Sequence, residues 1–260
     1  MTTRRLFTAT LSAACAAAQQ SFELRYKTHV IKSTHQQYDN PLRILEPSRK
    51  TGRVVYLLPV NPDISYRWGD GFDTAARSRL HEKHGVIIAA PAFSNYPWYG
   101  DHPQNAKIRQ ETYFINDVVP YVDKLFPGTK RLLAGFSKSG NGAVLLLLRH
   151  PELFHAAAAW DAPLMKLAPD EFGMAEVFGN TRHFARYCIP RLLESRAAEW
   201  QDKPARIALT GHGSFEAHMR EAHELMVRLR VQHLYENSIK RVHRWDSGWL
   251  EEAFAALDKM

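Results

Sequence analysis

The chain has 260 residues, of which 45% are hydrophobic and 23% are charged, and its formal net charge is +7 at pH 7. A chain of this length can bury one large core, so we expect a single domain over residues 22–260. The basic residues are scattered rather than grouped with aromatic residues, which argues against nucleic-acid binding. Every hydrophobic run is interrupted before it reaches the roughly 20 residues of a membrane-spanning helix.

Residues 1–18 differ in character from the rest of the chain. Arg4 and Arg5 precede a weakly apolar run that ends in small residues, which is the layout of an export signal. The segment favours a periplasmic or secreted protein, the alternatives being a ragged N-terminus and a cytoplasmic protein. Its cleavage would remove Cys15 and leave Cys188 alone, which excludes an internal disulfide.

Strand and helix patterns alternate along the remainder of the chain. The predicted strands are Phe22–Val30, Leu42–Leu45, Arg53–Leu58, Val86–Ala90, Arg131–Ala134, Ala156–Trp160, Arg206–Thr210 and Ile239–Val242. The predicted helices are Phe72–His84, Glu111–Phe126 and Ser139–Arg149. This alternation predicts an α/β fold with a mostly parallel central sheet and helices on both faces. A polar excursion over residues 162–203 interrupts it, and we interpret that excursion as a small cap.

The stretch from Leu132 to Ala143 has the composition of a sharp strand-to-helix turn around Ser137. Small residues at Gly135, Ser139 and Gly140 allow strand and helix to approach closely. Such a turn exposes the serine hydroxyl at the carboxyl edge of a sheet, next to a helix N-terminus that favours negative charge. Ser139 replaces the second glycine of the G-x-S-x-G pattern. The pattern favours Ser137 as a nucleophile, although a turn without chemistry has the same composition.

Four segments around Ser137 resemble the putative-esterase family of α/β-hydrolases, which includes esterase D, feruloyl esterases and mycobacterial mycolyltransferases. The segments are Trp98–Asp101, Gln110–Tyr113, Val118–Val122 and Leu148–Phe154. The resemblance implies an α/β-hydrolase fold and an activity on carboxylic esters, such as small-molecule or glycan-linked esters. It also implies that neither a metal ion nor an organic cofactor takes part.

A serine hydroxyl becomes nucleophilic when a base within hydrogen-bonding reach accepts its proton. His243 directly follows the last predicted strand, and His243-Arg244-Trp245 resembles the terminal motif of the same family. Two acids are candidates for orienting the imidazole. Asp161 follows the strand Ala156–Trp160, whereas Glu216 lies in the loop after Arg206–Thr210, which contains no Asp. We favour Asp161 because of its place in the sheet.

An oxyanion hole requires backbone N–H groups directed at the carbonyl oxygen. Lys138, the residue after the nucleophile, is expected to supply one of them. The other is expected from the loop after Arg53–Leu58, where Pro59 has no N–H, so Val60 or Asn61 must donate.

Five aromatic residues form a further cluster, and four of them lie in the loop that follows the predicted strand Val86–Ala90. The cluster comprises Trp68, Phe93, Tyr96, Trp98 and Tyr99. We predict that Trp98 and Tyr99 bind substrate by stacking, with ordinary loop packing as the alternative.

Two other functions and a metal site are alternatives to serine-based ester hydrolysis. An acyltransferase would share the first half of the reaction, and a non-catalytic binding protein would keep the fold without its chemistry. A metal site at His212, Glu216, His218 and His223 is disfavoured, because a spacing of five residues places His218 and His223 on different faces of a helix.

Overall fold

A single sheet runs through the centre of the computed structural model, which describes residues 26–62 and 67–260. Its strands are β1 (Lys27–Ile31), β2 (Asn40–Leu45), β3 (Arg53–Leu57), β4 (Ile87–Pro91), β5 (Lys130–Phe136), β6 (Ala156–Trp160), β7 (Ile207–His212) and β8 (Leu234–Lys240). They lie in the order β1-β2-β4-β3-β5-β6-β7-β8. The six strands from β4 to β8 are parallel to one another, and β1 and β2 are antiparallel additions at one edge.

Helices cover both faces of this sheet. They are α1 (Gly71–Arg77), α2 (Leu80–His84), α3 (Gln110–Tyr113), α4 (Val119–Leu125), α5 (Lys138–Arg149), α6 (Met174–Phe178), α7 (Thr181–Phe184), α8 (Ile189–Ser195), α9 (Ala197–Trp200), α10 (Glu216–Arg228) and α11 (Trp249–Leu257). A π-helical turn at Phe114–Val118 joins α3 to α4, and a 3-10 turn at Trp245–Ser247 precedes α11. No helix in the described part of the chain is long and apolar enough to cross a bilayer.

The core has two halves because successive side chains of a strand point to opposite faces of the sheet. Val54 and Tyr56 of β3 pack with α5 on one face. Val55 and Leu57 pack with α1 and α11 on the other. Since both faces are covered, the central strands are continuous apolar runs, and every residue of β6 is buried.

The order of the parallel strands creates a crevice at the carboxyl edge of the sheet. The chain crosses from β3 to β4 on one side and then returns past β3 to β5 on the other. The loops that follow β3 and β5 therefore diverge, which is the arrangement that leaves room for a ligand in open α/β sheets. The turns after β6 and β8 reach the same edge.

Four short helices, α6 to α9, lie in the excursion between β6 and β7. Helix α8 packs against α5, and Phe178 of α6 packs so closely on Gly100 that an added Cβ there would lie 2.3 Å from its ring. The excursion is thus packed onto the same domain, and its first part lies over the carboxyl edge of the sheet at Pro163 and Phe172.

Two predicted elements differ from the observed ones. The helix predicted over Phe72–His84 is interrupted, because Arg79 adopts a left-handed φ of 53° that ends α1 and begins α2. The last strand begins at Leu234 and ends at Lys240, earlier than the predicted Ile239–Val242. The prediction missed its start because most side chains of this edge strand are exposed or half-buried, so the sequence shows no apolar run there. The predicted export signal and the start of the first predicted strand lie outside the described residues.

Helix α5 packs against Tyr99, and a substitution at Gly142 tests that contact. Gly-to-Ala changes in an unobstructed helix stabilise a protein by roughly 0.5–1 kcal/mol. At Gly142, however, an added Cβ would lie 2.0 Å from Cδ2 of Tyr99. We expect Gly142→Ala to lower the free energy of unfolding by about 1–3 kcal/mol in urea denaturation.

The control repeats the substitution in a Tyr99→Ala background, where the ring is absent and the added methyl group should be neutral or stabilising. A Gly142→Ala variant that is more stable than the wild type would show that α5 and Tyr99 do not pack in this way.

Candidate active site

Ser137 lies on a strained turn between β5 and α5. Its backbone has φ 56° and ψ −126°, a conformation that non-glycine residues rarely adopt outside such turns. Its N–H donates to the carbonyl oxygen of Trp160 at 3.0 Å, which ties the turn to the end of β6. Gly135 is required here, because a Cβ at that position would lie 2.0 Å from the carbonyl oxygen of Ser139.

Ser139, the departure from the G-x-S-x-G pattern, contributes to the turn. Its hydroxyl donates to the carbonyl oxygen of Phe136 at 2.8 Å and accepts from the N–H of Phe136 at 2.9 Å. The side chain is fully buried. The hydroxyl therefore satisfies two backbone groups that a glycine would leave to other partners.

Ser137, His243 and Asp161 form a continuous chain of hydrogen bonds. Oγ of Ser137 lies 3.1 Å from Nε2 of His243. On the other side of the ring, Nδ1 of His243 donates to Oδ2 of Asp161. Since an ionised carboxylate can only accept, Nδ1 carries the proton and Nε2 is left as the acceptor for the serine hydroxyl. The structure thus brings together the three residues that the sequence nominated.

Asp161 is completely buried directly after β6. Its carboxylate accepts hydrogen bonds from the N–H groups of Ser214 at 2.8 Å and Phe215 at 2.6 Å. Burial raises the pKa of Asp161, but the hydrogen bonds from His243, Ser214, Phe215 and Gly213 outweigh burial and hold the pKa below its usual value. The side chain is therefore an ionised acceptor for the imidazole.

Glu216, the other candidate acid, does not reach the imidazole. It is the first residue of α10, its side chain is about half exposed, and Oε2 lies 3.8 Å from Nδ1 of His212. Asp161 rather than Glu216 is the carboxylate in contact with His243.

Aromatic rings surround the imidazole of His243 and limit its movement. The ring centroid of Phe136 lies 4.4 Å from that of His243, that of Trp68 lies 5.1 Å away, and that of Phe215 lies 5.6 Å away. Trp160 stacks beneath at 6.4 Å. These contacts restrict the ring to the orientation that its two hydrogen bonds require.

Lys138 and Val60, the residues predicted to form the oxyanion hole, both line the cavity that contains Ser137. Lys138 is the first residue of α5, and Val60 lies in the loop after β3. Within residues 26–62 and 67–260, neither N–H donates a hydrogen bond. The hydroxyl of Tyr99 donates to the carbonyl oxygen of Pro59 and so holds the loop that carries Val60.

The cavity has a volume of about 780 Å³ and is largely aromatic and polar. Besides Ser137, Lys138, Val60 and His243, it is lined by Asn61, Arg67, Trp68, Tyr96, Pro163, Phe172, Gly173, Glu176, Ser214 and Phe215. Trp68 and Tyr96 belong to the aromatic cluster noted in the sequence. Phe172 and Phe215 had no signal in the sequence, because only the folded cap and the loop after β7 bring them to the cavity.

Trp98 and Tyr99 do not line the cavity, in contrast to their predicted stacking on substrate. Both side chains are fully buried, and both backbone N–H groups donate to Oε1 of Gln110. Nε1 of Trp98 donates to the carbonyl oxygen of Phe172 at 3.0 Å. These two aromatic residues support the walls of the cavity, and other residues form its surface.

The histidines considered as metal ligands have other partners. His218 accepts from the N–H of Met165 at 3.0 Å, and His223 forms a hydrogen bond with His233 at 2.8 Å. The described residues contain no group of three or more His, Cys, Asp or Glu side chains arranged to hold a metal ion.

Solved structures with the same fold include several esterases. A ferulic acid esterase has 20% sequence identity and a TM-score of 0.68, with 89% of this chain and 96% of that chain covered. An S-formylglutathione hydrolase from Staphylococcus aureus has 15% identity and a TM-score of 0.68, with 90% and 97% covered. A fluorophosphonate-binding serine hydrolase from the same organism has 16% identity and a TM-score of 0.70, with 90% and 97% covered. These similarities show an α/β-hydrolase fold.

No curated protein matches the chain. The family model described as putative esterase, by contrast, matches residues 33–220, which is well over half of the chain. Together with the sheet order and the serine turn, this match shows that the chain belongs to the putative-esterase family of α/β-hydrolases.

Proposed function

We propose that this esterase hydrolyses carboxylic esters through an acyl-enzyme intermediate on Ser137, with His243 as the general base and Asp161 as the acid that orients it. The observation that carries the proposal is the hydrogen-bond chain from Ser137 through His243 to Asp161. The chain joins a hydroxyl, an imidazole and a buried carboxylate in the order that activates a serine.

In the first half of the reaction, Oγ of Ser137 attacks the ester carbonyl carbon and Nε2 of His243 takes the hydroxyl proton. The carbonyl oxygen becomes an oxyanion that the N–H groups of Lys138 and Val60 stabilise. The carbon–oxygen bond to the alcohol then breaks, and His243 returns the proton to the departing alkoxide oxygen.

In the second half, His243 takes a proton from water as the water oxygen attacks the acyl carbon. The tetrahedral intermediate collapses, Ser137 leaves as the alkoxide and recovers its proton from His243, and the carboxylic acid departs. Asp161 stays ionised throughout and stabilises the imidazolium that forms twice per turnover.

The complete hydrogen-bond chain also supports this proposal over a non-catalytic binding protein. The strained backbone of Ser137 destabilises the fold, and a binding protein would need neither that strain nor an ionised carboxylate buried against an imidazole.

Covalent labelling tests the nucleophile. A fluorophosphonate probe should modify wild-type protein once and leave Ser137→Ala unmodified, because only an activated serine reacts with it. Ser214→Ala is the matched control: Ser214 also lines the described part of the cavity, but its contact with Asp161 is through its backbone N–H. Mass spectrometry of the digested protein identifies the site. Labelling that persists in Ser137→Ala would refute the assignment.

The orienting acid is tested by two conservative substitutions. Asp161→Asn should lower kcat for a short-chain ester by about a thousandfold or more, because an amide neither fixes the Nδ1–H tautomer nor stabilises the imidazolium. Glu216→Gln should retain most of the wild-type kcat, since Glu216 does not contact His243. The opposite ranking in steady-state assays would assign the role to Glu216.

The base is tested through pH dependence and non-additivity. In wild-type protein, kcat/KM should fall on the acid side as His243 takes up a proton and can no longer accept one from Ser137. His243→Ala should lose about a thousandfold or more in kcat, and the His243→Ala/Ser137→Ala double variant should be little worse than either single variant. An active His243→Ala enzyme with an unchanged acid limb would contradict the proposal.

A further inference from the structure

Two cationic side chains, Lys138 and Arg67, line the cavity that contains Ser137. Nζ of Lys138 lies 4.4 Å from the ring centroid of Tyr96. The guanidinium carbon of Arg67 lies 4.5 Å from the ring centroid of Trp68. Among the described residues that line the cavity, Glu176 on the cap is the one with a carboxylate, and its side chain is exposed. The cations among the described lining residues therefore outnumber the carboxylates.

The ammonium group of Lys138 lacks the partner that a partly buried charge usually has. Within residues 26–62 and 67–260, it forms no ion pair with a carboxylate and donates no hydrogen bond. Burial lowers the pKa of Lys138 to about 8, with no neighbouring charge opposing that effect. The ring of Tyr96 offers a cation–π contact but leaves N–H donors without an acceptor among the described side chains and backbone. An anion in the cavity would satisfy them.

We propose that the ester hydrolysed at Ser137 carries a second, negatively charged group, a carboxylate, which binds the side chains of Lys138 and Arg67. The proposal rests on the function proposed above and names the class of substrate that this site accepts. Both cations line the same cavity, and each lies against an aromatic ring of its wall.

The position of Lys138 limits how far the carboxylate can lie from the ester. It follows Ser137 directly, so the two Cα atoms are about 3.8 Å apart. The ammonium at the end of its four-carbon side chain lies over Tyr96, within the same cavity as the serine hydroxyl. We therefore expect a spacer of a few carbon atoms between the ester carbonyl and the carboxylate, as in half-esters of short dicarboxylic acids.

The test compares pairs of esters that differ in charge. Mono-4-nitrophenyl adipate and 4-nitrophenyl hexanoate place the difference on the acyl side. The acetate esters of 4-hydroxybenzoic acid and of its methyl ester place it on the alcohol side. For each pair, the ratio of kcat/KM for the charged ester to that for the neutral ester is measured at low ionic strength. Comparing this ratio between variants cancels the intrinsic reactivity of each ester.

In at least one pair, the ratio should be about tenfold or more higher in wild-type protein than in Lys138→Met, because a charge-assisted hydrogen bond is lost. Arg67→Gln should lower the ratio less, by about threefold, since the Arg67 side chain is exposed. The matched control is Lys107→Met, which removes the same charge from an exposed position outside the cavity. Its ratio should equal that of the wild type.

The pH dependence of the same ratio separates Lys138 from Arg67. Between about pH 7 and about pH 9.5 the Lys138 ammonium loses its proton, so the preference for the charged ester should decline. In Lys138→Arg the preference should persist at the higher pH, because a guanidinium stays protonated. Tyr96, His243 and Glu176 also line the cavity. Lys138→Met keeps all three, so the pH dependence of its ratio measures their contribution.

Equal ratios in wild type, Lys138→Met and Arg67→Gln for both ester pairs would overturn the proposal. So would a drop in the Lys107→Met control as large as that in Lys138→Met, since the preference would then come from the overall charge of the protein. In either case, continued hydrolysis of the neutral esters and labelling of Ser137 would leave the proposed function intact. Loss of labelling and of all hydrolysis would instead refute the function itself.

Discussion

The hydrogen bond from His243 to the buried carboxylate of Asp161 joins the segments that follow β8 and β6, next to the turn that carries Ser137 after β5. Reactive groups must be held to within about 0.5 Å, and loops alone do not provide that precision. Here three parallel strands end at the same edge of a sheet whose faces are both covered. The geometry of the three side chains thus follows from the packing of the core, through short segments at the ends of rigid strands.

The buried charge of Asp161 explains the composition of the loop after β7. A carboxylate removed from water is strongly destabilising unless hydrogen bonds replace its hydration. The loop after β7 supplies them through the N–H groups of Ser214 and Phe215. Gly213 is necessary for this approach, because a Cβ there would lie 2.8 Å from Oδ2 of Asp161. A loop that lacks an Asp of its own therefore acts as the anion-binding wall for the Asp of the neighbouring strand.

The sequence was sufficient to predict features that depend on local pattern. Strand β6 was predicted with its observed bounds, because an uninterrupted apolar run between turn residues is typical of a strand buried on both faces. Features that depend on contacts between distant residues were not accessible. The aromatic character of Trp98 and Tyr99 suggested a binding surface, but the amide of Gln110 and the absence of a side chain at Gly142 draw both rings into the core.

We propose that the hydrogen-bond chain converts Ser137 into a nucleophile that carries the acyl group between two half-reactions. Intact-protein mass spectrometry after rapid acid quenching, with an ester whose acyl group is released slowly, measures that intermediate directly. We expect a species heavier by one acyl group, with the modification in the peptide that contains Ser137, forming and decaying at rates consistent with turnover. Turnover without any acylated protein, or acylation at another residue, would contradict it.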